Sequence, residues 1–379
     1  MQSSRYRVND SRASQATYSR VVVAFSLLVF MLGYAMRPDS VSNGRVAIIL
    51  IGDISTCTSF RQWLSLDFPS KVYAAIDYAL PFDFHTIASW DVMIFLLGVI
   101  SMIMIVTYFT RRWDYTIMQS LFLLGAVGLC GIYIFIFNKD VIQFFIFAAV
   151  FLVIASKLTV NFKMFILIGV FLCEFIWWRQ YYAIVAAFIP IFYFLLGHVK
   201  RLDLSLTGKV CLFILLAACA TFVFSFALNI LSHDNYVTIV EKHGVERESY
   251  TATSAASGIT SVLEVSGSSP VPMFVANWLI NVFRLLFPIE LFLLGPYYWI
   301  FAVYQLYLSS RILKAIAASA PTDKTVMFAA ALFLSFVLAS ATFEPDFGSW
   351  VRHETAALPI LLLLVSQNAP QAKLRERTA

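Results

Sequence analysis

Ionisable residues at the ends of apolar segments are the side chains of this 379-residue chain best suited to chemistry. They are densest in FEPDFGSWVRHETAALP, where five of them fall within eleven positions. These five are Glu344, Asp346, Arg352, His353 and Glu354. A neutral imidazole takes a proton from a hydroxyl near neutral pH, so we expect His353 to act as a general base. The alternative is a helix start that carries Glu354 in its first turn.

A second cluster, EFIWWRQYY at residues 174–182, joins an arginine to aromatic side chains. Arg179 and Gln180 form a short turn between two apolar runs, with Trp178 on one side and Tyr182 on the other. Tryptophan and tyrosine collect where a membrane meets water, so this belt predicts that Arg179 lies at the level of the lipid headgroups. Such an arginine suits an anionic ligand, and ordinary snorkelling is the alternative explanation.

A third cluster lies in MFVANWLINVFRLLF, residues 273–287. Asn277, Asn281 and Arg284 fall at helical spacing and form one polar stripe on an otherwise apolar helix. An arginine beside two amides makes a good anion-binding face, whereas a stripe that merely faces water is the alternative. Fifteen residues span about 22 Å as a helix, and Pro288 follows directly. We therefore expect an interfacial or re-entrant helix here and not a full span.

The composition excludes a soluble protein. Hydrophobic residues make up 60% of the chain and charged residues 13%, whereas soluble domains carry about 25% charged residues. Lipid demands internal pairing of backbone groups, so apolar runs that cross about 30 Å of hydrocarbon predict helices. We predict an all-α polytopic membrane protein, one integral membrane domain over residues 1–379, with about ten transmembrane helices and further extracytoplasmic interfacial helices. The ten predicted spans are residues 21–36, 92–110, 116–137, 141–156, 164–178, 182–197, 210–231, 289–309, 325–341 and 355–367.

Basic residues set the expected orientation of these spans. With a cytoplasmic N-terminus, 17 of the 27 Lys and Arg residues fall on the cytoplasmic side, as the positive-inside rule requires. Both termini are then cytoplasmic. The first long loop, residues 37–91, and the second, residues 232–288 with the interfacial helix, face outward. The three clusters described above lie at this outward-facing side.

Nothing in the sequence predicts a metal, a cofactor or a nucleic-acid ligand. The five cysteines form no CxxC motif, and no phosphate-binding GxxxxGK[ST] motif occurs. His233 and His243 show no metal-ligand spacing with a carboxylate. The first outer loop carries six aspartates: Asp39, Asp53, Asp67, Asp77, Asp83 and Asp91. A solvated loop explains them best, and a base or metal ligand is the alternative.

The RQYYA element at the end of one predicted span and the DFGSWVRHETAALP element before the last resemble those of bacterial Wzy-type polysaccharide polymerases, the O-antigen and exopolysaccharide polymerases. The resemblance implies a GT-C-like membrane glycosyltransferase of the bacterial cytoplasmic (inner) membrane. Its substrate would be an oligosaccharide linked to undecaprenyl pyrophosphate, with no nucleotide sugar and no obligatory metal. It also implies a chain-length regulator and a flippase as possible partners.

Within that resemblance, the candidate site residues take definite roles. Arg179, Arg284 and Arg352 would hold the lipid pyrophosphate, with Gln180, Asn277 and Asn281 beside them. His353 would act as general base, oriented by Glu344, Asp346 or Glu354, and Trp178 and Tyr182 would stack on sugars or isoprenoid. Two alternatives remain. One is a GT-C transferase that uses a polyprenyl-monophosphate sugar and an aspartate of the first loop; the other is a lipid-linked glycan flippase or transporter.

Overall fold

The computed structural model describes residues 2–37, 45–80, 86–113, 115–231, 234, 236–237, 271–317, 323–344 and 346–366. Asp39, Asp83, His233 and His243 lie outside the described residues. Within these ranges the chain forms fifteen α-helices with defined bounds, one 3-10 helix at Ile289–Leu293 and no strand. The helices are α1 Gln2–Ala35, α2 Arg45–Thr56, α3 Phe60–Ser65, α4 Phe68–Ala79, α5 Ile87–Arg112, α6 Ile117–Tyr133, α7 Asp140–Ala155, α8 Val160–Trp177, α9 Tyr182–Arg201, α10 Leu206–Leu231, α11 Val271–Leu286, α12 Pro296–Ala317, α13 Lys324–Phe343, α14 Phe347–Ala356 and α15 Leu358–Val365.

The chain is an all-α polytopic membrane protein. Within the described residues, six helices are long and apolar enough to cross a bilayer: Ala16–Ala35, Ile87–Arg112, Val160–Trp177, Tyr182–Arg201, Leu206–Ile230 and Lys324–Thr342. Shorter apolar helices cover Val46–Thr56, Ile117–Tyr133, Asp140–Ala155 and Val271–Leu286. The predicted spans at 116–137, 289–309 and 355–367 differ most from the helices found. The first ends at Tyr133. The second begins as the 3-10 helix Ile289–Leu293, and its α-helix starts only at Pro296. The third lies on α14 and α15, which break at Ala357.

The chain divides into two compact units. Unit 1 comprises residues 1–149 and 352–379, and unit 2 comprises residues 150–351. In unit 1, α1 packs along α5 and α6. The C-terminal end of α15 is fixed to the start of α6, because Gln119 Nε2 donates to the Val365 carbonyl at 2.7 Å and the Tyr115 and Ser366 hydroxyls are 2.7 Å apart.

Glycines allow α1 and α6 to approach closely. A methyl group added at Gly33 would collide with the Gly128 carbonyl oxygen, and one added at Gly131 would collide with the Phe30 carbonyl oxygen. Helices in lipid lack a hydrophobic driving force for association, so small residues that permit close backbone contact take its place. The α1–α6 contact therefore depends on the absence of side chains at these positions.

Helix α13 is the centre of unit 2. Its apolar side chains lie on all sides, as expected of a helix that is surrounded by others. Of its most apolar 18 residues, 89% are buried. Helices α9 and α11 pack against it. Tyr193 of α9 meets Phe328 with ring centroids 4.4 Å apart, and the Trp278 indole of α11 donates to the Leu338 carbonyl at 2.6 Å. Ser335 satisfies its hydroxyl within the helix by donating to the Ala331 carbonyl at 2.7 Å.

Replacing Gly33 or Gly131 by alanine is expected to destabilise the protein by about 1–3 kcal/mol, because the added methyl group overpacks the α1–α6 contact. Gly169 of α8 is the matched control, since a methyl group there meets nothing within 4 Å. The midpoint of thermal unfolding in detergent, followed by size-exclusion chromatography, measures the effect. Equal midpoints for Gly131→Ala and Gly169→Ala would contradict this account of the contact.

Candidate functional sites

Asp140 forms the centre of a cluster with Arg352 and His353 in unit 1. Its Oδ2 lies 3.1 Å from Arg352 Nε, and its Oδ1 lies 3.6 Å from His353 Nε2. The aspartate side chain is 2% exposed, that of His353 10% and that of Arg352 35%. Arg352 Nη2 is also 3.4 Å from His353 Nε2. A carboxylate this close to an imidazole stabilises the imidazolium that forms when the ring acts as a general base.

A buried non-helical segment, residues 134–139, leads directly into Asp140. Ile134, Phe135, Ile136 and Phe137 are at most 1% exposed. Non-helical backbone in a membrane protein must find partners inside the protein, because lipid offers none. Local backbone bonds satisfy the amides of Ile134, Phe135, Ile136 and Asn138, and side chains of two other helices bond the Phe137 amide and the Asn138 carbonyl.

Asp91 of α5 and Tyr73 of α4 hold this segment. The Phe137 amide donates to Asp91 Oδ1 at 2.6 Å, and the Tyr73 hydroxyl donates to the Asn138 carbonyl at 2.5 Å. The Asp140 amide in turn donates to Asn138 Oδ1 at 2.8 Å. Burial raises the pKa of Tyr73 well above its usual value near 10, and the charges of Asp140 and Asp91 act in the same direction. Tyr73 therefore remains a hydrogen-bond donor at any physiological pH.

Arg37 pairs with the other oxygen of Asp91. Its Nη2 donates to Asp91 Oδ2 at 3.0 Å, and its guanidinium lies 3.8 Å from the centre of the Tyr34 ring. Because Asp91 is largely buried, this charge-assisted contact offsets the cost of removing the carboxylate from water. Asp91 therefore connects the end of α1, the start of α5 and the segment before Asp140.

In unit 2, Arg179 lies in the turn between α8 and α9. The amides of Trp178 and Arg179 both donate to the Glu174 carbonyl, at 2.8 and 2.9 Å, so the turn has a fixed backbone. The guanidinium lies 4.7 Å from the centre of the Trp178 ring and 5.8 Å from that of Tyr181. Its Nη1 donates to the Tyr181 hydroxyl at 2.7 Å. Gln180, the neighbouring candidate, is exposed.

Tyr181 connects this turn electrostatically to Glu344, which follows α13. Burial raises the pKa of Tyr181 to about 12, Arg179 opposes the shift, and the negative charge of Glu344 adds to it. Glu344 is 4% exposed, and its amide donates to the Ser340 carbonyl at 2.7 Å. Two elements that the sequence separates widely therefore meet within unit 2.

A row of aromatic rings runs from the start of α9 across α13 to α14. Tyr182 is fully buried and its ring centroid lies 6.5 Å from that of Phe336. Phe336 in turn lies 5.6 Å from Trp350 of α14, which is also fully buried. Tyr182 is thus a core residue, whereas Trp178 and Tyr181 are aromatic residues that contact the arginine.

Arg284 of α11 is paired with a carboxylate that the sequence analysis missed. Its Nε donates to Glu290 Oε1 at 2.6 Å, and its Nη1 lies 3.4 Å from Asn281 Oδ1. Asn277 and Asn281 are each 1% exposed, so the polar stripe of this helix is turned into the protein and does not face water. An anion that binds Arg284 has to compete with Glu290.

Asp346 has a structural contact of its own. Its Oδ1 accepts from the Ser349 amide at 2.8 Å and its Oδ2 from the Ser349 hydroxyl at 3.1 Å. The carboxylate therefore caps the first turn of α14. Helix α14 begins at Phe347, so Glu354 lies near its end and not in its first turn.

Aspartates of the first long loop are engaged in similar local contacts. Asp53 Oδ2 accepts from the Ser70 hydroxyl at 2.7 Å, and Asp67 caps α4 by accepting from the Ser70 amide at 3.0 Å. Across the described ranges, no group of three or more His, Cys, Asp or Glu side chains has an arrangement that would hold a metal ion.

No family model, no curated protein sequence and no solved structure matches the chain. The chemistry of the Asp140 cluster and of the Arg179 turn is therefore the basis on which a function can be inferred.

Asp140 and Glu290 are the residues that sequence reasoning missed. Asp140 closes the polar break FNKD between two apolar runs, which is the same signal that identified Arg179. Its pairing with Arg352 and His353 could not be predicted from periodicity or spacing, because these residues lie more than two hundred positions later in the chain.

Replacing Tyr181 by phenylalanine is expected to flatten the loss of stability at high pH. An unfolded chain ionises a tyrosine near pH 10, but the folded state keeps Tyr181 protonated up to about pH 12. The stabilisation is therefore fully present below pH 10 and is lost as the pH rises from 10 to 12, by about 1–2 kcal/mol. Thermal midpoints at pH 9, 10, 11 and 12 measure it. Parallel profiles for wild type and Tyr181→Phe would show that Tyr181 titrates normally.

Proposed function

We propose that the protein is a GT-C-like membrane glycosyltransferase of the bacterial inner membrane, with ten spans and both termini in the cytoplasm. Its reaction would polymerise oligosaccharide repeat units carried on undecaprenyl pyrophosphate at the extracytoplasmic face. The observation that carries the proposal is the Asp140–His353 pair with Arg352 beside it. A buried carboxylate that orients an imidazole has a clear use in activating a sugar hydroxyl.

The reaction transfers one glycosyl group. The acceptor hydroxyl gives its proton to His353 as its oxygen forms a bond to the anomeric carbon of the donor chain. The bond from that carbon to the pyrophosphate oxygen breaks, and its electron pair leaves with undecaprenyl pyrophosphate. Asp140 Oδ1, which lies 3.6 Å from His353 Nε2, would stabilise the imidazolium that forms.

Arginines supply the second requirement of this chemistry, which is stabilisation of the charge that develops on the leaving group. Arg179 supports this role best. Its guanidinium is positioned by Trp178 and Tyr181 and lies in a turn with a fixed backbone, so it is preorganised for a phosphate oxygen. Arg352 would act from within the Asp140 cluster, and Arg284 after its release from Glu290.

The local contacts of the first-loop aspartates weigh against a transferase that uses one of them as its base. Asp53, Asp67 and Asp91 each accept hydrogen bonds that fix the fold. A flippase or transporter is the other alternative, and it requires ionisable residues near the bilayer midplane or interrupted helices in matching halves of the chain.

Replacing His353 by alanine, or Asp140 by asparagine, is expected to abolish polymer synthesis. Loss of a general base costs about 10²–10⁴-fold in rate. A strain that lacks the chromosomal gene and carries each variant should accumulate lipid-linked single repeat units in place of long polymer. His198→Ala is the matched control, since this histidine is exposed and its Nδ1 contacts only its own helix at the Phe194 carbonyl among the contacts described.

Normal polymer from a membrane-inserted His353→Ala variant would contradict the general-base role. Normal polymer from the strain without the gene would contradict polymerisation itself. Full repeat units trapped on the cytoplasmic face would instead indicate a flippase.

Replacing Arg179 by glutamine is expected to weaken substrate binding by about tenfold to a hundredfold, because a charge-assisted contact to the pyrophosphate is lost. Arg112→Gln is the matched control. Arg112 also lies over aromatic rings, 5.3 Å from Trp113 and 5.7 Å from Tyr108, and its Nη1 donates to the Tyr108 hydroxyl at 2.9 Å. The apparent KM for lipid-linked repeat units in proteoliposomes measures the effect. Equal changes in the two variants would contradict a specific role for Arg179.

A further inference from the structure

A cleft of about 510 Å³ opens in unit 1 between α3 and α4. It is lined by Cys57, Thr58, Ser59, Phe60, Trp63, Ala74, Ala75 and Tyr78. The volume is within the range of about 300–1,000 Å³ that is usual for small-molecule sites. We call it the 57–78 cleft. None of the candidate site residues described above lines it.

The walls of the 57–78 cleft are aromatic and open. Phe60 and Trp63 stack with ring centroids 5.6 Å apart and planes 16° apart. Phe60 is 73% exposed and Tyr78 is 95% exposed. The Trp63 indole N–H donates to the Lys71 carbonyl at 2.9 Å, which fixes the orientation of this ring. Aromatic rings this exposed around a concave surface indicate a binding site more than a core.

The polar edge of the cleft is neutral. Gln62 Oε1 accepts from the Thr58 amide, the Thr58 hydroxyl and the Ser59 hydroxyl, each at 3.0 Å. Among the residues that the structure describes, no charged side chain lines the cleft. Hydroxyl groups beside aromatic faces suit a neutral ligand with many hydroxyls and flat apolar faces, because the negative face of a ring attracts polarised C–H groups. A pyranose ring has this chemistry, whereas a phosphate or a charged peptide does not.

The cleft is preformed. Asp53 of α2 accepts from the Ser70 hydroxyl at 2.7 Å and so ties α2 to the start of α4, and Asp67 caps α4 through the Ser70 amide at 3.0 Å. Ser70 itself is fully buried. A site that is rigid before its ligand arrives loses little conformational entropy on binding.

Helix α4 connects the cleft to the Asp140 cluster within the same unit. Ala74, Ala75 and Tyr78 line the cleft, whereas Tyr73, on a different face of the helix, donates to the Asn138 carbonyl. Asn138 in turn accepts from the Asp140 amide. A glycan that reaches Asp140 and His353 would therefore have the 57–78 cleft one helix away.

We propose that the 57–78 cleft binds neutral sugar residues of the glycan chain, with Phe60, Trp63 and Tyr78 stacked against pyranose faces. The proposal rests on the proposed function, because it makes the glycan part of the substrate the ligand. The cleft binds sugar residues that are distant from the reacting end of the glycan. When this binding is lost, the polymer dissociates earlier.

Cys57 lines the cleft, so we expect a bound ligand to shield its thiol from a water-soluble reagent. The probe protein keeps Cys57 and has alanine at the four other cysteines, Cys130, Cys173, Cys211 and Cys219. In nanodiscs it is treated with a charged, water-soluble maleimide, with or without oligosaccharide released from the surface polysaccharide of the host. We expect the oligosaccharide at millimolar concentration to slow labelling at least threefold.

Phe60→Ala combined with Tyr78→Ala is expected to remove this protection, and both side chains are exposed enough for the fold to tolerate the change. Phe165→Ala on α8 is the matched control, since Phe165 is 71% exposed and lies outside the cleft. Labelling that the oligosaccharide does not slow would overturn the proposal. Labelling by an uncharged, membrane-soluble maleimide alone would also overturn it, because the aromatic wall would then lie in lipid.

Polymer length separates this proposal from the proposed function. We expect cells with the Phe60→Ala, Tyr78→Ala protein to make polymer with a shorter length distribution. The cleft proposal would be overturned, and the polymerase proposal kept, by two results together. The Phe60→Ala, Tyr78→Ala protein would make polymer of unchanged length, and the His353→Ala protein would make no polymer. Protection of Cys57 by oligosaccharide in a protein whose loss leaves polymer unaffected would support the cleft and reject the polymerase.

Discussion

The hydrogen bond from the Phe137 amide to Asp91 is the contact on which the Asp140 cluster depends. It fixes the buried non-helical segment 134–139, whose backbone groups need hydrogen-bond partners within the protein. With Tyr73 on the next carbonyl, it determines where Asp140 begins α7. Arg37 compensates the charge of Asp91, so the arrangement costs no unpaired buried carboxylate.

Unit 2 accommodates its charged side chains around a regular helix, whereas unit 1 does so beside a non-helical segment. Its central helix α13 is regular and largely apolar, and charged side chains appear only at its two ends. Glu344 follows its last turn, and Arg179 and Tyr181 come from the turn between α8 and α9. Both units therefore collect ionisable side chains at helix ends, where protein partners lower the cost of charge.

The sequence predicted the class of fold and several of these side chains. Long apolar runs require helices in lipid, and the aromatic residues around Arg179 identified a position where a guanidinium lies over the Trp178 ring. Local pattern carries that information. The direction of the Asn277–Asn281 stripe was not predictable, because a stripe that faces water and one that faces a buried neighbour have the same spacing.

Ion pairs between residues that are far apart in the chain were likewise not predictable from the sequence. The sequence favoured Glu344, Asp346 or Glu354 as partners for His353 because they are its neighbours, whereas tertiary packing brings Asp140 to it. Asp346 instead caps the helix on which His353 lies. The helix predicted to reach residue 137 ends at Tyr133, because the residues that follow bond to Asp91 and Tyr73. The break at Ala357 has a local cause, since Pro359 lies in the first turn of α15.

Reconstitution of the purified protein with a defined lipid-linked repeat unit tests the central claim most directly. Proteoliposomes that contain the undecaprenyl-pyrophosphate oligosaccharide are analysed for glycan length and for free undecaprenyl pyrophosphate. The account predicts a ladder of longer lipid-linked glycans, with one undecaprenyl pyrophosphate released for each bond formed and none by the His353→Ala protein. Repeat units that remain single, or that only change leaflet, would contradict it.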